Sequence, residues 1–390
     1  MKLQWIGRRS RALGLLLFAA AFGCREDGAA PTSPESEAAP ATAAVAGALP
    51  FRHVSAGESH TCGVTPGDKA YCWGNNGAGR LGDGTTTARS RPVPVAGGLS
   101  FQQVSAGVNH SCGVTTDQRA YCWGVNHDGQ LGNGTTTTSL TPVPVAGTRR
   151  FRQISAGDHH TCAVTPANVA FCWGSSLYGV LGTGGGSTLT PVRVAGGLEF
   201  RQVSAGFSHT CGATTDERGY CWGNNSNYQL GNGTAGDGSS TPVAVAGGHK
   251  FRQVFAGSGY ISPSSSDVAP DHALTCGVTT ADHAYCWGSG AGSADPVRIG
   301  DRRFPRISAG TQGCGVTGAG GLYCWSLLGL VHVPSGGRRF ESVSVSGVGG
   351  HTCVVGTNDR AYCWGDNSDG QLGDGTTTSR TKPTAVAGPI

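Results

Sequence analysis

The sequence predicts an all-β protein closed into a seven-bladed β-propeller, and three observations carry that prediction. A segment of the type Phe-Arg-Gln-Val-Ser-Ala-Gly recurs from Phe51, Phe101, Phe151, Phe200 and Phe251, with looser copies from Phe304 and Phe340. Each copy is followed by a Tyr-Cys-Trp-Gly-like run beginning at Tyr71, Tyr121, Phe171, Tyr220, Tyr285, Tyr323 and Tyr362. The repeat returns about every fifty residues, the length of one four-stranded blade.

Within a repeat, the short runs Val-Ser-Ala-Gly, Cys-Gly-Val-Thr, Ala-Tyr-Cys-Trp-Gly and Pro-Val-Pro-Val-Ala-Gly read as strands covered on both faces. The 66 glycines interrupt every apolar stretch and leave no run with helical periodicity. Gly-x-Gly and Thr-rich stretches supply the turns. Thr42–Gly47 and Lys382–Gly388 both resemble a closing strand, so either end is able to complete the ring and the termini are expected to meet in one blade.

Fourteen of the fifteen cysteines form seven pairs spaced ten apart. Cys62 pairs with Cys72, Cys112 with Cys122, Cys162 with Cys172 and Cys211 with Cys221. The remaining pairs are Cys276 with Cys286, Cys314 with Cys324 and Cys353 with Cys363. Each pair flanks a turn such as Thr65–Lys69, and counting outward from Gly67 sets Cys62 opposite Cys72. Opposed residues of a hairpin lie within disulfide range. Seven hairpin staples, formed in an oxidising compartment, are therefore expected. Zinc would need two blades to converge on one point, and Cys-x-x-Cys is absent, so no metal or cofactor is predicted.

The unpaired cysteine, Cys24, closes an export-like segment. Lys2, Arg8, Arg9 and Arg11 precede an eleven-residue apolar run, Ala12–Phe22, too short to span a bilayer. Residues 1–23 read as a signal peptide, and Ala-Phe-Gly-Cys resembles a bacterial lipobox that would place lipid on Cys24. The alternative is an ordinary secretory signal. Residues 24–44 read as a disordered Ala/Pro/Ser/Glu tether, and 45–390 as the propeller. The predicted location is the outer membrane or cell surface, or the periplasm or medium if no lipid is attached.

Net charge is +4, but without the four basic residues of the leader the balance is 24 basic against 24 acidic. No global field favours nucleic acid, and membrane contact is expected only through the lipid anchor, although this balance is compatible with a local patch.

The segments 57–86 and 107–136, running through His-Thr/Ser-Cys-Gly-Val-Thr, Tyr-Cys-Trp-Gly and Leu-Gly-x-Gly-Thr-Thr, resemble the regulator of chromosome condensation repeat. That resemblance covers residues 45–390 and implies a seven-bladed propeller. Repeats five and six depart from it. Leu274 and Gln312 replace the repeat His, both lack the Gly-x-Leu-Gly segment, and repeat five carries an insertion over 258–272.

The recurring His60, His110, His160, His209 and His351 are expected to fix the turn of their own blades, and the seven repeat Trp to pack between blades. Function is sought in residues that break the repeat: His159, Tyr178, Tyr228, His283, His332 and the insertion. Within the insertion, Tyr260, Ile261, Asp267, Asp271 and His272 are the candidate partner-binding residues. No nucleophile–base constellation or phosphate loop is present, so enzyme activity is not expected. The reading is a monomeric, non-enzymatic module binding a macromolecule, most simply a protein. Two alternatives follow from the resemblance: an enzyme inhibitor like the secreted β-lactamase-inhibitor propeller, and guanine-nucleotide exchange, which the export segment opposes.

Overall fold

The computed structural model describes residues 47–257, 273–326, 329–347 and 350–389. Cys24 and the candidates Tyr260, Ile261, Asp267, Asp271 and His272 lie outside the described residues.

Seven four-stranded antiparallel sheets form the blades of a β-propeller. Blade one is His53–Ala56, His60–Val64, Ala70–Gly74 and Arg89–Pro94, and blade two runs from Phe101–Ala106 to Ser139–Pro144. Blades three to six begin at Gln153, Phe200, Phe251 and Arg306, and blade seven ends with Arg380–Ala385. Every blade is built from one contiguous stretch. The C-terminal segment supplies the outer strand of blade seven, and no strand is exchanged across the closure. The ends still meet: Gly47 and Gly388 lie against each other, and Pro50 bridges to Arg360 in blade seven.

The core is a ring of seven apolar clusters, each shared by two neighbouring blades. At the seam between blades one and two, Cys62, Val64, Ala70, Cys72 and Leu81 pack against Phe101, Val104 and Trp123. At the closure, Phe51, Val54 and Trp73 pack against Cys353, Cys363 and Leu372. Burying a side chain such as the fully covered Phe51 stabilises by roughly 2–3 kcal/mol.

All seven predicted disulfides are present, each inside one hairpin and with Cα–Cα distances of 4.0–4.1 Å. Cys62 is bonded to Cys72, Cys112 to Cys122, Cys162 to Cys172 and Cys211 to Cys221. Cys276 is bonded to Cys286, Cys314 to Cys324 and Cys353 to Cys363. The divergent blades five and six thus keep their staples. Cys62 stands directly opposite Cys72 in the register, as the turn count requires. Cys122, Cys221 and Cys324 likewise face Cys112, Cys211 and Cys314. Each bridge lies at a seam, so it serves as apolar filler as well as a staple.

The strand directions define two faces. On the hairpin face lie the turns between second and third strands and the linkers between blades. On the loop face lie the Ser-Ala-Gly corners and the Gly-x-Leu-Gly loops.

Candidate functional site

The first strands line an axial cavity of about 330 Å³. At its wall Ser55 Oγ accepts the N–H of Ala106, and Ser105, Ser155, Ser204, Ser308 and Ser344 repeat that bond to the next blade at 2.9–3.1 Å. Gln103, Gln153 and Gln202 add two-pronged bonds to the backbone of Ile154, Val203 and Val254. First strands of neighbouring blades are thus joined by side chains.

Deeper in the seams, the repeat His does something other than expected. His60 Nε2 lies 2.7 Å from Ser111 Oγ, and His110, His160 and His209 lie 2.8 Å from Thr161, Thr210 and Thr275 of the following blade. Thr161 Oγ1 gives its only proton to the carbonyl of Gln130, so it accepts from His110, whose Nε2 must carry the hydrogen. Trp173 Nε1 donates to the same carbonyl at 3.0 Å. The histidine therefore ties one blade to the next instead of fixing its own turn.

The Gly-x-Leu-Gly loop provides that carbonyl, and its last glycine has a further duty. Gly82 has φ +71°, and a Cβ there would stand 2.7 Å from the indole nitrogen of Trp123. Glycine lets loop and indole meet.

Blades five and six lack this loop, and their seams differ. Trp325 Nε1 donates to Cys286 Sγ at 3.1 Å in place of a carbonyl. Phe255 replaces the channel serine and packs with Leu274, Ile307 and Trp325, exchanging hydrogen bonds for apolar contact. Gln312 reaches Thr352 Oγ1 at 3.5 Å in place of the repeat His. Five of the seven Trp share one environment, and Trp325 and Trp364 do not.

Groups that the latch does not use gather on the loop face. Glu58 sits at the channel mouth, its carboxyl pushed up by burial, with the Arg80 guanidinium pulling it down. Arg80, itself lowered by burial, donates to Ser59 Oγ at 3.0 Å and the Val108 carbonyl at 3.2 Å. His159 Nε2 is 3.2 Å from Asp158, and Nδ1 is 2.7 Å from Asp128 of blade two. The bond to Asp158, joined by Asp128 and opposed by burial, pushes the imidazole up to about 9. On blade seven, Asp369 accepts from Asn75 and Asp366 from Gln371.

Beside this acidic arc stand aromatic residues. Tyr178 is 53% and Tyr228 41% exposed, and both hold φ of +60°. Tyr228 takes the place that glycine fills in the equivalent loops at Gly79, Gly129, Gly179 and Gly370. A left-handed tyrosine costs on the order of 1 kcal/mol. The turn Leu177–Gly179 packs against Gly236–Ala244 of blade four, which puts Tyr178 at the seam of blades three and four, whereas the loop of Tyr228 meets blade five, where the Gln229 carbonyl accepts from the Trp287 indole.

Of the other non-repeating residues, His283 and His332 fall on outer parts of blades five and six, His332 against the ring of Tyr323. Among the described residues no group of three or more His, Cys, Asp or Glu is placed to hold a metal ion. No helix among them is long and apolar enough to cross a membrane.

This is a latched, repeat-built seven-bladed propeller with an ionic and aromatic loop face. Segments 68–114, 117–164, 216–261 and 358–390 match the Regulator of chromosome condensation (RCC1) repeat. A second description of the same repeat matches 51–80, 101–130, 151–180, 200–229 and 343–371. The chain belongs to the RCC1 repeat family. The matched segments stop at 261 and resume at 343, across the two divergent blades.

Among solved structures, human WBSCR16 is similar at 18% identity, over 87% of this chain and 82% of that one, with a TM-score of 0.57. Prp20p from Saccharomyces cerevisiae, described with its binding to Gsp1p and histones, is similar at 19% identity over 85% and 76%, TM-score 0.56. The ectodomain of the Arabidopsis thaliana receptor kinase ACR4 is similar at 18% identity over 85% and 98%, TM-score 0.53. These likenesses show the fold. No curated protein matches the chain.

Proposed function

We propose that this protein is an exported, lipid-anchored, non-enzymatic module that binds a protein partner through its loop face. One observation carries the reading: Tyr178 and Tyr228 are exposed aromatics held in left-handed backbone, beside an acidic channel mouth. A scaffold has no use for that strain, whereas exposed aromatics are typical anchors of an interface. The acidic arc favours a partner with basic groups around an apolar patch. Prp20p, with the same fold, is described as binding Gsp1p and histones, so partner binding is within the repertoire of this scaffold. The seven disulfides point to an oxidising compartment and oppose an exchange role on an intracellular GTPase.

Two experiments test this. Affinity capture from envelope extract should identify a partner whose binding falls at least about tenfold when Tyr178→Ala and Tyr228→Ala are combined, the loss expected of an aromatic anchor pair. Equal capture by the double variant would remove the loop face from consideration. Separately, Cys24→Ser should move the protein from the membrane to the soluble fraction. A parent chain already soluble would replace the lipid anchor with plain secretion.

A further inference from the structure

The near-neutral charge balance hides a sorting of charge between the two faces. Residues immediately before the first-strand Phe are basic in four repeats: Arg149–Arg150, Lys250, Arg302–Arg303 and Arg338–Arg339. Arg149–Arg150, Lys250 and Arg338–Arg339 fall in the linkers of the hairpin face, Arg302–Arg303 end the strand Ser293–Arg303 there, and Arg306 adds to them at the start of blade six. Arg302 is held over Tyr323 with Cζ 4.4 Å from the ring, and Arg338 lies 5.0 Å from the ring of Tyr362. Neither they nor Arg303 and Arg339 form an ion pair among the described residues, whereas Asp117, Glu217 and Asp301 on this face are paired with Arg150, Lys250 and Arg298, and the exposed Glu199, Glu341 and Asp359 offset only part of its basic charge. The opposite face carries Glu58, Asp128, Asp158, Asp366 and Asp369.

The place where the chain enters the ring makes this asymmetry directional. Pro50 bridges to Arg360 in the hairpin of blade seven, so the first described residues enter the ring on the basic face, next to the linker Arg338–Arg339. We propose that the hairpin face docks on an anionic membrane surface, with Arg302, Arg303, Arg306, Arg338 and Arg339 meeting lipid phosphates. Polybasic clusters beside a membrane attachment are drawn to anionic headgroups within a Debye length. Docking in this sense turns the acidic, aromatic loop face away from the lipid and toward a partner. The inference rests on the anchored reading for its orientation, but its test does not use the anchor.

The full chain carrying Cys24→Ser is sedimented with vesicles of phosphatidylcholine alone or with phosphatidylglycerol. Binding to the phosphatidylglycerol vesicles alone, released by salt and weakened about tenfold in the combined Arg302→Gln, Arg303→Gln, Arg338→Gln and Arg339→Gln variant, is the expected result. The pair Arg303→Glu and Arg339→Glu leaves both stacked guanidinium groups in place and should weaken binding without lowering Tm. Equal binding to both vesicles, binding indifferent to salt or to both variants, or binding to duplex DNA but not to vesicles would each overturn the proposal. A failed Cys24 release assay would remove the anchor while leaving the vesicle result standing.

Discussion

His351 of the last blade lies 2.8 Å from Thr61 of the first, Nε2 to Oγ1, across 290 residues of sequence. Thr61 passes its proton to the carbonyl of Gln371, which also accepts the Trp73 indole. The ring is therefore closed by the same bonds that join its interior blades, with Ser344 and Ala56 repeating the channel bond beside them.

These buried histidines make the fold sensitive to acid. Burial holds His110, His160 and His209 at about 3 and His351 at about 4, with His60 well below its ordinary value. An unfolded histidine titrates near 6.5, so the unfolded chain takes up protons first. Their contribution is whole above pH 6.5 and declines as pH falls toward 3–4, by roughly 1 kcal/mol per pH unit for each histidine. His159, raised to about 9, contributes in the opposite sense, below 6.5, and loses its contribution as pH rises through 9. Denaturant midpoints should fall steeply between pH 7 and 5. His209→Gln keeps a donor toward Thr275, as Gln312 does toward Thr352, and should flatten the profile by one proton.

Thr161→Val removes the group that accepts from His110 and donates to Gln130. It leaves the His110 Nε2–H buried and unsatisfied, while the Gln130 carbonyl keeps the Trp173 indole as its donor, a loss of about 2 kcal/mol. Thr352→Val, at a seam with neither the histidine nor the loop carbonyl, should cost less than half as much. Equal falls in Tm would show that the latch adds nothing beyond packing.

Replacing Cys162 and Cys172 with alanine should lower stability by on the order of 2–3 kcal/mol under oxidising conditions. If the staple and not the sulfur volume is responsible, most of the difference from the parent disappears once both proteins are reduced. Non-reducing peptide mapping of the parent should return only bridges within repeats, those of Cys122, Cys221 and Cys324 included.

Tyr228→Gly restores the residue that the equivalent loops use at that backbone position. It should leave Tm unchanged or raise it while weakening partner capture. A fall in Tm would mean that the tyrosine is held for packing, and its strain would lose its functional meaning.

The repeat made much of this legible. The Phe, Cys and Trp positions recur seven times, so blade number, strand order and disulfide pairing could be read from spacing alone. The roles of individual repeat residues could not. His60 and Ser111 are 51 residues apart, and only closure of the ring shows that they meet. Phe255 stands out as the one break in the channel serines, yet what it packs against depends on Leu274 and Trp325 from elsewhere in the chain. Charge sorting was hidden for a related reason: the chain crosses from face to face along each strand, so segments of the two faces alternate in sequence and the basic excess of one is averaged against the acids of the other. Tyr178 and Tyr228 drew notice by breaking the repeat, but their left-handed backbone has no sequence signal beyond the missing glycine.

Every latch bond runs between a blade and its successor in the same rotational sense, which gives the circle a direction. A repeat therefore carries half of each of two seams, the histidine N–H and the loop carbonyl for its successor, and the Thr or Ser hydroxyl and the Trp indole for its predecessor. Tandem duplication of blade two would place matched halves on both sides of the new copy, leaving no orphaned Thr, Trp or carbonyl. Duplication of blade six would not, because it offers neither the loop carbonyl nor the histidine. The growth points of such a ring are written into its hydrogen bonds, and blades five and six are where that grammar has been given up.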